Sequence, residues 1–379
     1  MSPPRGGRVV APAGRDDRCA HLPVTASGRA VAVGETDAGT GARPSSAVVS
    51  VTLPELEEND VTGEITVFSG SAHPAFGQDM SRVLGVEVSP SRTSRFSNDC
   101  LQVQLRGNCR LRDVYVVQPL VPPVQENLFE LLLMLDAARG ASAAHITAVI
   151  PHFAYARSDK KDAPRISIGA RLVADMLATA GATRVLTMAL HAPQVHGFFS
   201  VPVDHLSATL ELSSHFRRFD LSNTVVVSPD LGNAKVASAF ARDLGVPVAA
   251  GSKQRLSDDT VVIDRIVGDV AGRDVIVLDD EIATAGSIVE LLRVLRLAGA
   301  GKASVVCTHG LFTGQAIERL QAEPDITQVV TTDTVPQTNG ARLPNLVVRS
   351  VAPLFAETVH RIHHGESVSS LFSDVETYG

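Results

Sequence analysis

The stretch VIVLDDEIATAGS, Val275 to Ser287, sets two acids and then a short run of Thr, Ala, Gly and Ser at the end of an apolar run. Val275, Ile276, Val277 and Leu278 suit a strand buried on both faces of a parallel sheet, and Ser287 to Ala298 carries Ile288, Leu291, Leu292 and Leu295 at helical spacing. The loop therefore joins a strand's carboxyl end to a helix start. Open α/β sheets bind ligands there, and the unpaired amides and positive dipole end of a helix favour a phosphate. Asp279 and Asp280 cannot hold a phosphate themselves. Beside one held by the backbone of Thr284, Ala285, Gly286 and Ser287, they are placed to accept hydrogen bonds from sugar hydroxyls or to hold a divalent cation. Ser287 with Glu290 also has the S-x-x-E spacing of a capping box, in which case the acids merely solvate a strand end.

Other parts of the chain supply residues suited to triphosphate and metal chemistry. RVLTMALH delivers His191 to a strand end, and TVVVSPD followed by LGNAKVASAFARDLG puts Asp230 at another strand-to-helix junction. IPHFAYARSDKK offers Arg157, Asp159, Lys160 and Lys161 after a strand, and GSKQR offers Lys253 and Arg255 in what reads as a mobile loop. Taken singly, a histidine after a strand is more often a packing residue and a basic loop is more often solvated. A Walker motif, G-x-x-x-x-G-K-[ST], is missing, so any ATP site has to be built another way.

The elements that would position these residues alternate. ITVFSG (65–70), DVYVVQ (113–118), HITAVIP (145–151), RVLTMAL (184–190), TVVVSPD (224–230), DVIVLDD (274–280) and ASVVCTHG (303–310) are short β-branched runs, many of them separated by amphipathic helices. One such helix runs from Glu126 to Arg139, with Leu128, Leu131, Leu132 and Leu135 on one face. This pattern predicts an α/β protein with parallel sheets. Polar clusters at several strand ends suggest two sheets whose carboxyl edges face a shared cleft. Residues 1–62, rich in Gly, Pro, Ala, Ser, Arg and Asp without periodicity, are expected to be a disordered extension.

A chain of 379 residues with 44% apolar composition can fill two ordinary domains. A net charge of −7 argues against a general nucleic-acid binder, so an anionic substrate must be met by local basic clusters. Cys19, Cys100, Cys109 and Cys307 are scattered, which indicates neither a disulfide framework nor a structural metal. No run approaches the roughly 18 apolar residues of a membrane span, and the amino terminus lacks a signal-type apolar core, so a cytoplasmic protein is the expectation.

In this order the blocks resemble the ribose-phosphate pyrophosphokinase (phosphoribosyl pyrophosphate synthetase) family. FSGSAHP, RFSND, ENLFELLLMLDAARGASA, ITAVIPHFAYARSDKK, LHAPQVHGFF, VVSPDLGN, VTTDTVP and RIHHGESVSSLF carry the resemblance from about Ile65 to Phe372. It implies two phosphoribosyltransferase-like domains, 63–206 and 207–352, with the segment 353–379 packing back on the first. It also implies transfer of the β,γ-pyrophosphoryl group of ATP to the 1-hydroxyl of ribose 5-phosphate, releasing AMP. Thr284, Ala285, Gly286 and Ser287 would hold the 5-phosphate, and Asp279 and Asp280 the 2- and 3-hydroxyls. Arg157 and Asp159 would contact ATP, and Phe96, Asn98 and Cys100 occupy the adenine-recognising positions, across a subunit interface of a homo-oligomer. His191 and Asp230 match positions that hold magnesium or its water shell, and Lys253 and Arg255, catalytic with His191, would close over the transferring phosphates.

The chain departs from the family pattern, which commonly reads D-D-x-x-D-T-G-G-T in the sugar loop. Its third acid is Ala283 here and one Gly is Ala285. The Asp before the metal strand's Leu-His is Ala189, and the adenine-binding Glu is Cys100. Each loss weakens a site without abolishing it. Two alternatives follow: a catalytically impaired regulatory subunit, able to join a hetero-oligomer with a paralogue, and a phosphoribosyltransferase that consumes phosphoribosyl pyrophosphate.

Overall fold

The computed structural model describes residues 63–230, 232–255 and 261–372. The extension expected over 1–62 lies outside them. In chain order the first half contains β1 (Ile65–Ser69), α1 (Pro74–Leu84), β2 (Ser91–Arg95), β3 (Leu101–Leu105), β4 (Asp113–Val117), α2 (Val124–Gly140), β5 (His145–Ile150), α3 (Gly169–Ala180), β6 (Arg184–Met188) and β7 (Val203–Leu206). Of these, β1, β4, β5, β6 and β7 form a parallel sheet in the order β1-β4-β5-β6-β7, and β2 and β3 form a separate antiparallel hairpin.

The second half contains α4 (Thr209–Phe216), β8 (Thr224–Ser228), α5 (Ala234–Leu244), β9 (Val248–Arg255), β10 (Val261–Val267), β11 (Asp274–Ile282), α6 (Gly286–Leu297), β12 (Ala303–Gly310), α7 (Ala316–Gln321), β13 (Ile326–Thr332), β14 (Leu346–Arg349) and α8 (Ala352–His363). Its sheet runs β10-β9-β8-β11-β12-β13-β14 and is parallel except for the β9–β10 pair. β4 and β8 are buried at every residue, as valine-rich strands covered by helices on both faces must be.

The strong periodic segments fold as their sequences predict. The 126–139 and 287–298 helices are observed as α2 and α6, within two residues at each end. The loop reading of Lys253 and Arg255 is corrected: both lie on β9, paired in backbone register with Ile263 and Val261 of β10, and their side chains fall outside the described residues. The residues between these strands, 256–260, are likewise outside the description.

A shared apolar core links the two sheets, with Phe76 and Met80 of α1 and Phe355 and Val359 of α8 packed in one cluster with Val226, Phe240, Ile276 and Val306. The Phe76 and Phe355 rings meet edge-on at 5.3 Å, an arrangement aromatic quadrupoles favour. α8 is fastened further at its end, where His363 Nδ1 donates to Asp113 Oδ2 at 2.7 Å.

The β2–β3 hairpin is tied down by Glu130 of α2, which is 2% exposed. Its carboxylate accepts from Thr93 Oγ1 at 2.6 Å, Gln118 Nε2 at 2.7 Å and both Oγ and N of Ser71. The turn at Gly70 has no room for a side chain, since a Cβ there would fall 2.3 Å from Gln118 Oε1. Removing the Glu130 carboxylate strands several buried donors at once. Glu130→Ala is therefore expected to lower stability by about 2–4 kcal/mol in urea unfolding, with earlier proteolytic cleavage in the hairpin; a change under about 0.5 kcal/mol, the ordinary range of a surface substitution, would contradict this role.

Candidate active site

β11 carries its pairing with β12 through Ile282, and the chain then turns over Ala283 to Ala285 into α6. Ala285 is buried and turns in the left-handed region at φ 59°, a conformation that costs a non-glycine residue energy. Among the described residues no side chain caps this helix, and its first backbone bond runs from Val289 N to Ala285 O. The amides of Gly286, Ser287 and Ile288 are thus left for an anion. The capping-box reading fails here, because Ser287 lies inside the helix and Glu290 pairs with Arg293 instead. The turn is braced by Arg319 of α7, whose guanidinium donates to Thr284 O at 2.8 Å and adds positive charge beside the loop.

Asp279 and Asp280 sit just before this turn, and His191, from the segment after β6, donates through Nδ1 to Asp280 Oδ2 at 2.6 Å. For Asp280, burial pushes the carboxyl up, but hydrogen bonds from His191 and Asp279 and the His191 charge outweigh it and hold it well below the carboxylate range. Asp279 goes the other way, driven well above its ordinary value by burial and then by the Asp280 charge. The two carboxyls are thus pushed in opposite directions, Asp279 up and Asp280 down. The Asp280 hydrogen bond raises His191, with burial opposing it.

His191 and Asp230, read together from sequence as metal residues, are not brought into a shared cluster. Asp230 Oδ1 accepts from Asn233 N at 3.0 Å at the entry to α5, and among the described residues there is no group of three or more His, Cys, Asp or Glu placed to hold a metal. That donor set still suits magnesium, which keeps most of its waters and takes one or two carboxylates plus substrate phosphates. Asp280 offers such an oxygen.

The ATP-side residues are split between two places. Arg157 ends a short turn after β5, with its NH2 3.4 Å from Glu281 Oε1, and Asp159 accepts from Gln194 Nε2 at 2.6 Å. Phe96, Asn98 and Cys100 lie on the exposed hairpin turn, where Phe96 is 53% exposed.

Sequence reasoning passed over the residues that join the two sheets. His309, buried at 3%, lies on β12 opposite Glu281 of β11. Its Nε2 lies 3.2 Å from Met188 O and 3.3 Å from Ala189 O at the end of β6. Carbonyls only accept, so this nitrogen carries the hydrogen. From the other side Leu190 N donates to His205 Nε2 at 2.8 Å. The two imidazoles thus clamp the backbone that runs through Ala189, at φ 43°, to His191. The ring of His152, 3% exposed, packs edge-on against His309 at 4.8 Å. The signal available in sequence was slight, a charged or imidazole residue inside an apolar strand end.

Comparison with known proteins now bears on these strand ends. A family description reading "N-terminal domain of ribose phosphate pyrophosphokinase" matches residues 65–181, and "Phosphoribosyl synthetase-associated domain" matches 262–373. A Streptomyces coelicolor relative is 62% identical over 309 residues, covering 82% of this chain and 98% of its own. The ribose-phosphate pyrophosphokinase of Deinococcus radiodurans is 50% identical over 320 residues, covering 83% of this chain and 100% of its own. This chain belongs to the ribose-phosphate pyrophosphokinase family. The crystal structure of phosphoribosylpyrophosphate synthetase from Mycobacterium smegmatis superposes with a TM-score of 0.75 at 38% identity, over 80% of this chain and 99% of that one. The fold is accordingly a pair of phosphoribosyltransferase-like units with parallel sheets flanked by helices.

Within this pyrophosphokinase fold the clamping histidines make stability depend on pH. Burial pushes His309 down to about 3 and His205 down to about 4, against an ordinary value of 6.5. Above pH 6.5 neither the folded nor the unfolded chain protonates them; below it the unfolded chain takes up protons that the fold refuses. Stability should therefore fall as pH drops from 6.5 toward 4, by about 1.4 kcal/mol per pH unit for each such proton. Urea midpoints measured across that range should decline in the wild type and decline less steeply in His309→Asn. An equal slope in the two proteins would contradict a neutral His309.

Proposed function

We propose that the facing strand ends form the site at which the β,γ-pyrophosphoryl group of ATP passes to the 1-hydroxyl of ribose 5-phosphate, giving phosphoribosyl pyrophosphate and AMP for nucleotide biosynthesis. The observation that carries this reading is the set of open α6 amides beside an acid pair whose Asp280 is met by His191 from the other sheet. The amides of Thr284 to Ser287 take the 5-phosphate. Asp279 and Asp280 accept from the ribose hydroxyls. Arg157 and Asp159 meet the triphosphate, and Phe96, Asn98 and Cys100 receive adenine from a neighbouring copy in a homo-oligomer. Lys253 and Arg255 supply positive charge to the transferring group, where stabilisation is chiefly electrostatic.

Magnesium, when bound, neutralises triphosphate charge and aligns the in-line displacement. Asp280 and His191 would hold it or its waters, and the family resemblance adds Asp230 to these residues. The cytoplasm suits these substrates. Residues 63–206 and 207–352 are taken as the two domains, with 353–379 belonging to the first. The impaired-subunit alternative draws on Ala189 and Ala283 and on a paralogue as partner. The assembled His191–Asp280 pair speaks for an active centre.

Gly286 gives a test that spares the fold. A Cβ at this position would meet Arg319 NH1 at 3.6 Å and Thr284 Oγ1 at 3.9 Å, ordinary contact distances, so the protein can accept a side chain that a phosphate cannot. In steady-state AMP formation, Gly286→Val should raise the KM for ribose 5-phosphate by roughly tenfold or more while the KM for ATP changes little. Equal losses for both substrates would remove the loop from the sugar-phosphate role.

Ala189 offers a second test. At φ 43° it occupies a region that aspartate enters more readily than most residues. Ala189→Asp should therefore fold and lower the magnesium concentration that half-saturates AMP formation. An unchanged requirement would place this backbone away from the metal.

A further inference from the structure

Glu281 is a largely buried carboxylate at the centre of the site with no part in the reaction as described. Its side chain is 13% exposed, and its two oxygens have different partners. Oε2 lies 3.1 Å from Nε2 of the buried His152, while Oε1 lies 3.4 Å from NH2 of Arg157, a side chain that is 50% exposed. His152 cannot turn away: its Nδ1 lies 3.0 Å from Leu120 O, a carbonyl that only accepts, and its ring packs against His309. Glu281 is thus fixed through one oxygen to β5's end and through its backbone to β12 beside His309. The other oxygen is left to hold a guanidinium that reaches toward solvent. Burial pushes Glu281 up, but His152 and Arg157 outweigh this and keep it below its ordinary value.

Arg157 is the residue to which the proposed function gives a triphosphate contact, and a guanidinium already facing a fixed carboxylate has part of its charge matched before a phosphate arrives. We infer that Glu281 is a positioning residue that holds Arg157 in the nucleotide-free protein and competes with the triphosphate of ATP for its guanidinium. The inference rests on the ATP reading of Arg157. Glu281 sets how tightly that reading is realised, and it directly follows Asp280, so the release of Arg157 is felt on the strand that carries the sugar acids.

The test is binding of a non-transferable ATP analogue with magnesium, without ribose 5-phosphate, followed by calorimetry on the full chain. Glu281→Gln keeps the shape and removes the charge; Glu281→Met serves if the amide disturbs His152, with folding checked by thermal melting. Either variant should bind the analogue roughly two- to fivefold more tightly, the scale of a partly exposed ion pair. In an Arg157→Ala background the same change should give less than half of that gain, because the guanidinium over which the two anions compete is gone. A purely structural Glu281 would weaken binding when replaced. Unchanged or weaker binding, or a gain as large without Arg157, overturns the inference. AMP formation is measured separately: a chain that makes no AMP but shows the Arg157-dependent gain keeps the positioning role and loses the proposed reaction.

Discussion

The structure depends on a buried, neutral imidazole. His309 sits on β12 in the second sheet and carries its hydrogen on Nε2, from which it reaches the last carbonyls of β6 in the first. Its Nδ1 is 2.9 Å from Thr334 Oγ1, within a fully buried threonine cluster that fixes the ring. A histidine so enclosed cannot take a second proton without stranding a charge, so burial itself makes the bond specific. Through it the backbone at Ala189 is held in a strained turn, and the turn delivers His191 to Asp280. The chemistry of the second sheet is thereby completed by a residue of the first.

The charges around this joint are graded. Asp279 and Asp280 lie side by side, and two adjacent carboxylates away from bulk water do not both ionise readily. His191 favours charge on Asp280 and holds it down, while Asp279, buried beside that charge, is pushed up. Glu281 is likewise held below its ordinary value by His152 and Arg157 against the opposing push of burial. Among the described residues Arg157 and His191 already face a fixed carboxylate, whereas the open α6 amides have Arg319 behind them and no capping side chain.

Much of this was legible in the sequence where a single physical signal dominates. The valine-rich runs of β4, β8 and β11 and the leucine stripes of α2 and α6 specify buried strands and amphipathic helices, and the acid pair followed by TAGS marks the ligand edge. What escaped reading depends on distance in the chain. The hairpin β2–β3 is SRTSR against LQVQL, polar segments whose pairing is secured by Glu130 from α2 rather than by their own pattern. β9 is a local exception: its basic end reads as solvated, although the strand that completes its backbone, β10, follows directly in sequence. His152, Glu281 and His309 are far apart in sequence and gain meaning only when two sheets set them together. The hydrogen bond of His191 to Asp280 follows from the same long-range placement.

If the two edges act as one site, the phosphorus chemistry must show both substrates joined there. The most direct measurement follows ATP and ribose 5-phosphate with the protein and magnesium by phosphorus NMR. The account predicts loss of ATP matched by equal amounts of AMP and of a sugar bearing a new diphosphate, and no turnover when ribose 5-phosphate is omitted. Formation of ADP with a sugar that gains one separate phosphate rather than a diphosphate, or no loss of ATP at high magnesium, would contradict it.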